Sequence, residues 1–233
     1  MTVTRSPQEL ATLAAAAAVE LADAPAEDVL AWAAGTFGDR FCVTTSFTDA
    51  VLVHLAARVA PGVDVVFLDT GLHFAETLRL RDLVREATEV TVHSVRPELT
   101  VAEQDERYGP RLYAREPDTC CALRKVAPLR RALAGYEAWA AGLRREEGGT
   151  RAGTPVVDFD AGRGKVKVCP LAGWTQHDVD DYVARHGIPV NSLQRQGYRS
   201  IGCWPCTRRT APDEDPRAGR WPLFDKLECG LHG

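Results

Sequence analysis

The chain has 233 residues, 45% of them hydrophobic and 26% charged, with a formal net charge of −4. That length suits one α/β domain with appendages around a single core. The acidic balance argues against nucleic acid as a partner, which would call for an excess of Lys and Arg on at least one face.

The alanine-rich run 11–22 has the apolar character of a signal-peptide core. It is flanked by Glu9, Glu20 and Asp23 with no strongly basic stretch before it, so it reads as a surface helix. No later run approaches the roughly 20 apolar residues of a membrane span, so no membrane is expected as a partner and the protein is expected in the cytoplasm.

The spacing then predicts a strand over 41–45, an amphipathic helix over 49–60, a strand over 63–68, a helix over 74–86 and a strand over 90–95. Such alternation implies right-handed βαβ units and an α/β fold, a parallel sheet with helices on both faces. Its ligands are expected beyond the carboxyl ends of the strands.

Two segments follow strand ends: Ser46-Phe47-Thr48-Asp49, which runs into a helix, and Asp69-Thr70-Gly71 after Leu68. The first offers helix N–H groups to a phosphate or sulfate, and Ser46 or Asp49 serves equally well as a simple helix cap. A further strand is expected over 138–143, followed by a glycine-containing loop with Arg144, Arg145 and Arg151. Such a loop either presents guanidinium forks to an anion or is solvated surface. A helix over 176–186 closes at Gly187 and Pro189. From Thr207 the Pro-, Gly- and charge-rich composition is expected to form a mobile tail, residues 207–233, beside a domain of residues 1–206.

Seven cysteines, an odd number, favour metal ligation or redox chemistry over a disulfide framework. Cys120-Cys121 and Cys203/Cys206 are two thiol pairs far apart in sequence, suited to an iron-sulfur cluster or to zinc. The adjacency of the first pair favours the cluster, because a cubane spreads its ligands over separate irons. Cys42, inside a strand, and Cys169, at a strand end before Pro170, read as core residues. Cys229 stands near the C-terminus. The 23 positions from Cys206 to Cys229 span on the order of 75 Å when extended, enough to fold back over a site or swing away. A basic pocket would favour its reactive thiolate.

Taken together, Leu68-Asp69-Thr70-Gly71 with Phe74, Glu76 and Thr77, Cys120-Cys121 with Arg124-Lys125, Gly142-Leu143-Arg144-Arg145, the Cys203/Cys206 pair, Asp215-Pro216-Arg217 with Gly219-Arg220, and Glu228-Cys229-Gly230-Leu231-His232 resemble the assimilatory adenosine 5'-phosphosulfate reductases. These are close relatives of the reductases of the 3'-phosphorylated nucleotide. The likeness spans nearly the whole chain. It implies a PP-loop-like (adenine nucleotide α-hydrolase) fold and a 4Fe-4S cluster on Cys120, Cys121, Cys203 and Cys206, with Cys229 as nucleophile. It further implies adenosine 5'-phosphosulfate as substrate and thioredoxin as electron donor, in assimilatory sulfate reduction. Ser46, Asp49, Leu68, Asp69, Thr70, Gly71, Lys125, Arg144, Arg145, Arg217 and Arg220 are the expected substrate contacts.

One departure stands out. The family loop after the first strand often contains glycine, whereas Ser46 to Asp49 has none, and its N–H groups serve an anion if the turn avoids positive φ. Two competing functions remain open, reduction of the 3'-phosphorylated nucleotide and a non-reducing nucleotide-binding enzyme with structural zinc. Whether the chain forms a homo-oligomer is not fixed by its pattern.

Overall fold

A computed structural model describes residues 4–232 of the chain. Its strands are β1 (Phe41–Thr45), β2 (Asp64–Leu68), β3 (Thr91–Val95), β4 (Ala138–Ala141), β5 (Val157–Asp160) and β6 (Lys165–Val168). They pair in the order β3-β2-β1-β4-β6-β5. All neighbours run parallel except β5 with β6, so the sheet is mostly parallel with an antiparallel edge. That edge hairpin gave little signal in the sequence, because Lys165-Val166-Lys167-Val168 alternates over only four residues.

All four residues of β4 are buried, as are Phe41, Cys42 and Val43 of β1. Successive strand residues point to opposite faces, so both faces of the central strands are covered. The helices that surround them are α1 (Pro7–Glu20), α2 (Ala26–Phe37), α3 (Val51–Val59), α4 (Ala75–Ala87), α5 (Val101–Tyr108), α6 (Pro117–Cys121), α7 (Ala127–Ala132) and α8 (Gln176–His186). The alanine-rich run is α1, begun by a capping box in which Ser6 and Glu9 satisfy each other's backbone N–H, and it packs on β5 and β6. No helix among the described residues is long and apolar enough to cross a membrane.

Two features position the site. The sheet order reverses direction between β1 and β4, the switch point where open α/β sheets bind ligands. Helices α6 and α7 are joined by a π-helical turn, Ala122–Val126, directly after the adjacent cysteines. Such wide turns are rare in general and frequent at functional sites.

Residues 207–232 return to this body at several points. Thr207 bridges to Arg220, the Trp221 N–H donates to the Cys206 carbonyl at 3.0 Å, and Leu231 packs against the main core. Trp221 is 1% exposed. Burying side chains of this size supplies roughly 2–3 kcal/mol each, which fastens a segment whose composition alone reads as loose.

Candidate active site

A cavity of about 570 Å³ lies at the carboxyl ends of β1, β2 and β4. That volume suits a nucleotide-sized ligand. Thr44 and Thr45 of β1, Leu68 of β2 and Ala141 of β4 form its floor, and the tail residues Cys229, Leu231 and His232 close one side.

Ser46 and Asp49 line this cavity. Between them Phe47 takes φ +53, so the glycine-free turn enters the left-handed region and does not meet the condition set for its N–H groups to serve an anion. Phe47 tolerates this because its ring is fully buried, 5.3 Å from that of Phe67, and its carbonyl accepts from Asn191 Nδ2 at 3.2 Å. Asp49 accepts the Val51 N–H at 3.0 Å at the start of α3, so it serves partly as a cap. Burial pushes the Asp49 carboxyl up from its ordinary value, while the Val51 N–H and Arg144 act in the opposite direction.

From the second strand end, Leu68 and Thr70 reach the cavity, whereas Asp69 and Gly71 do not. Asp69 accepts from Arg96 Nε at 3.2 Å and from the Gly71 N–H at 3.2 Å. Gly71 turns with φ +70, and a Cβ there would press on the Arg124 guanidinium at 3.1 Å. Arg124 fastens this turn to the cysteine helix, donating to the Thr70 carbonyl at 2.5 Å and to Gln104 Oε1 at 3.0 Å.

Of the predicted arginines, Arg144, Arg217 and Arg220 line the cavity. Arg145 does not, because it points outward and donates from Nε to the Thr154 carbonyl at 2.8 Å. Arg151, which the sequence had placed in the same loop without a substrate role, takes a place in the wall instead. Arg220 is 4.6 Å from the Trp221 ring centroid and fills the space where a Cβ on Gly202 would lie, so a side chain at Gly202 would displace the guanidinium. Burial and the nearby Arg151 lower Arg217 to about 10, which leaves it charged at neutral pH.

Cys120 and Cys121 from α6, with Cys203 just before the Trp204–Cys206 turn and Cys206 at its end, line one small gap of about 10 Å³ beside the cavity. All four are free thiols and buried. The two segments are held together because the Trp204 N–H donates to the Leu72 carbonyl at 2.8 Å and Cys203 bridges to His73. Thr70 Oγ1 lies 3.3 Å from Cys203 Sγ. As these side chains stand, no group of three or more His, Cys, Asp or Glu among the described residues could hold a single metal ion. Four sulfurs spread around one gap, with the cations Arg124 and Lys125 beside them, form a donor set whose chemistry suits a thiolate-ligated cluster.

Lys125 and Cys203 line both the gap and the cavity. Burial works against the charge on Lys125, but the sulfurs of Cys203, Cys121 and Cys229 outweigh it and hold this amine above its ordinary value. Cys229 packs against the cluster of Leu72, Cys121, Cys203, Cys206 and Trp221 while facing the cavity. The structure thus brings the late thiol, the two cysteine pairs and the basic wall to one place. Cys42 and Cys169 lie apart in the core at 0% and 2% exposure.

Buried side-chain nitrogens without a hydrogen-bond partner fall on His73, Trp139, Arg144, Arg220, Trp221 and His232. All but Trp221 line the cavity, and Trp221 sits among the cysteines. Native interiors leave few such groups unpaired, so these nitrogens are donors and acceptors available to a bound group. His73, Trp139 and His232 were not singled out as site residues by sequence reasoning, although His232 closes a motif that was.

A sheet of this order with its cavity at the switch point is a PP-loop-type fold, and residues 41–209 match the family model of the phosphoadenosine phosphosulfate reductase domain. The chain belongs to that family of sulfonucleotide reductases, which are oxidoreductases. It is 59% identical to the adenosine 5'-phosphosulfate reductase of Streptomyces coelicolor over 98% of this chain and 97% of that one. It is 50% identical to that of Mycobacterium tuberculosis, over 96% and 95%. Among solved structures it is similar to the phosphoadenylyl-sulfate reductase of Candida auris in a phosphate complex, with a TM-score of 0.74 and 29% identity over 89% of this chain and 100% of that one. An FMN adenylyltransferase of Candida glabrata, 12% identical with a TM-score of 0.53 over 92% and 81%, shares the fold.

Proposed function

We propose that this enzyme reduces adenosine 5'-phosphosulfate to sulfite and AMP, in the cytoplasm, as a step of assimilatory sulfate reduction that feeds cysteine synthesis. The observation that carries the reading is that Cys229 faces the same cavity as Lys125, Arg144, Arg217 and Arg220. Near-full-length similarity to enzymes named for that substrate supports it.

In this reading the Cys229 thiolate attacks the sulfur of the phosphosulfate, and the S–O bond to AMP breaks with its electron pair leaving on the phosphate oxygen. The developing negative charge falls among fixed guanidinium and ammonium groups, which lowers the barrier. Cys229 then carries an S-sulfonate. A thioredoxin thiolate attacks the Cys229 sulfur and releases sulfite. The resulting mixed disulfide is resolved by thioredoxin's second thiol, which returns Cys229 as a thiol and takes up the oxidation. The segment that carries Cys229 releases from the body between these steps so that one sulfur meets both partners.

Cys120, Cys121, Cys203 and Cys206 would hold a 4Fe-4S cluster, and the unpartnered Trp221 Nε1 among them would be available as a hydrogen-bond donor beside it. When bound, such a group supplies fixed charge beside the cavity rather than electrons. Arg124 and Lys125 would balance that charge, and Lys125 lines both the cysteine gap and the cavity.

The test is sulfite release from purified protein with thioredoxin, comparing the substrate with and without its 3'-phosphate. The unphosphorylated nucleotide is expected to be preferred, and preference for the other would overturn the choice. Cys229→Ser is expected to keep AMP binding and lose turnover, because only the nucleophile is removed. Sulfite production by that variant would refute the role of Cys229.

A further inference from the structure

The residue before the proposed nucleophile is a carboxylate held by cavity arginines. Glu228 Oε1 accepts from Arg151 Nε at 2.8 Å and Oε2 from Arg151 Nη2 at 3.1 Å, a two-pronged pairing. Arg217 Nη2 reaches the same Oε2 at 3.0 Å and also donates to the Leu227 carbonyl at 2.8 Å. Thr150 Oγ1 adds a bond to Oε1 at 3.1 Å.

On its far side Arg151 is fixed in turn. Its Nη1 donates to Glu147 Oε2 at 2.6 Å, and Glu147 accepts the Arg144 N–H at 3.2 Å. A continuous relay therefore runs from the end of the β4 loop, through Glu147 and Arg151, to the backbone beside Cys229. The side chains of Arg151 and Arg217 are only 13% and 12% exposed, so this is no solvated surface pair, and its two-pronged geometry fixes orientation as well as distance.

We propose that Glu228 and Arg151 form a latch that positions Cys229 at the mouth of the cavity, and that opening this pair is the step by which the tail's sulfur passes from the nucleotide to its reductant. The pair touches neither reacting atom and acts through the segment that carries the thiol. Its catalytic meaning rests on the assignment of Cys229 as nucleophile, while its existence as a latch does not. Gly148, with φ +148, lets the loop turn between Glu147 and Arg151 so that both face the tail.

The experiment compares the full-length purified enzyme with Glu228→Gln, Glu228→Asp and Arg151→Met. Cys229 alkylation by iodoacetamide without substrate is followed by mass spectrometry, and kcat and KM for sulfite release are measured alongside. Glu228→Gln is expected to speed alkylation of Cys229 roughly tenfold, the size expected from loss of one charge-assisted bond. It is expected to lower kcat with KM little changed, because the cavity wall keeps its arginines. Arg151→Met should move alkylation in the same direction by less, since Arg217 still holds Glu228, and Glu228→Asp should recover part of the protection. Wild-type alkylation rates in Glu228→Gln and Arg151→Met would overturn the latch, as would a lower kcat without faster alkylation. The alkylation result stands whether or not Cys229→Ser retains activity, so failure of the latch and failure of the proposed reaction are told apart.

Discussion

His232 lies flat against Trp139, their ring centroids 5.7 Å apart and their planes within 12°. The second-last residue of the chain is thereby pinned to the central strand β4, three positions beyond Cys229. Burial keeps the His232 imidazole well below its ordinary value, with Lys167, Arg151, Arg163 and Arg217 adding repulsion, so a neutral ring makes this stack.

Trp139 is fully buried. Replacing it by Leu or Phe is expected to cost roughly 2–4 kcal/mol in either case, because both leave part of the indole volume empty. Only Trp139→Leu removes the aromatic face on which His232 rests. The tail should then be cut by trypsin after Lys226 faster in the Leu variant than in the Phe variant, at matched stability by urea denaturation. Equal cleavage of the two would mean that the stack does not hold the tail.

The two cysteine pairs come from segments more than 80 positions apart, yet line one gap. Cys120→Ser and Cys203→Ser are each expected to lose iron and sulfite formation together, since a cluster missing one thiolate ligand is not retained. Iron and sulfide analysis after anaerobic purification, with the visible absorbance of the protein, checks this. Full activity in iron-free protein would remove the cluster from the account, and one zinc per colourless chain would favour the non-reducing alternative.

A carboxylate at the opposite end of the sheet allows a test by pH. Glu137 is 3% exposed and takes bonds from the Arg5 N–H at 2.8 Å, Arg5 Nη1 at 2.6 Å and Arg40 Nη1 at 2.6 Å. Burial alone would raise its carboxyl, but these donors prevail and hold it below the ordinary value. A carboxyl lowered on folding stabilises the protein above its unfolded value of about 4.3, and that stability is lost as pH falls through the lower folded value. Glu137→Gln is therefore expected to cost about 2 kcal/mol at pH 7, the scale of hydrogen bonds to a charged group. The gap between variant and wild type in urea midpoint should narrow as pH drops below about 4. A gap that stays constant down to pH 3 would show that the charge is not what Glu137 contributes.

Much of the frame was legible because it rests on long, periodic elements. The predicted helix over 176–186 is α8 residue for residue, and the predicted strands and helices from 41 to 95 fall within two residues of those observed. Cys229 and the two cysteine pairs could be singled out because thiols in such spacing carry chemistry that few other arrangements share. What the pattern could not carry was direction. Arg144 and Arg145 are neighbours in an irregular loop, and only the turn at Arg145–Glu147 decides that one faces the cavity and the other solvent. Asp69 and Gly71 belong to the motif as the joints of a turn, held by Arg96 and Arg124, while Leu68 and Thr70 face the site. Trp139 lies in the strand expected over 138–143 and is fully buried. Its second role depends on a tail docking from 93 positions away, a contact with no local signature.

The turn at Phe47 yields the sharpest test of a departure from the family pattern. A non-glycine residue at φ +53 pays about 1–2 kcal/mol in backbone strain, and Phe47 sustains it through a ring fully buried beside Phe67. Phe47→Ala keeps the strain and loses the ring, so it should destabilise by roughly 3–5 kcal/mol. Phe47→Gly loses the same ring and also the strain. At most positions glycine is the less stable of the two by up to about 1 kcal/mol, yet here Phe47→Gly should unfold at higher urea than Phe47→Ala. The Asn191 bond to the Phe47 carbonyl is made to the backbone and persists in both variants, so it does not bias the comparison. If the alanine variant proves the more stable, the left-handed turn is not held in solution, and the cavity wall between Ser46 and Asp49 takes another shape.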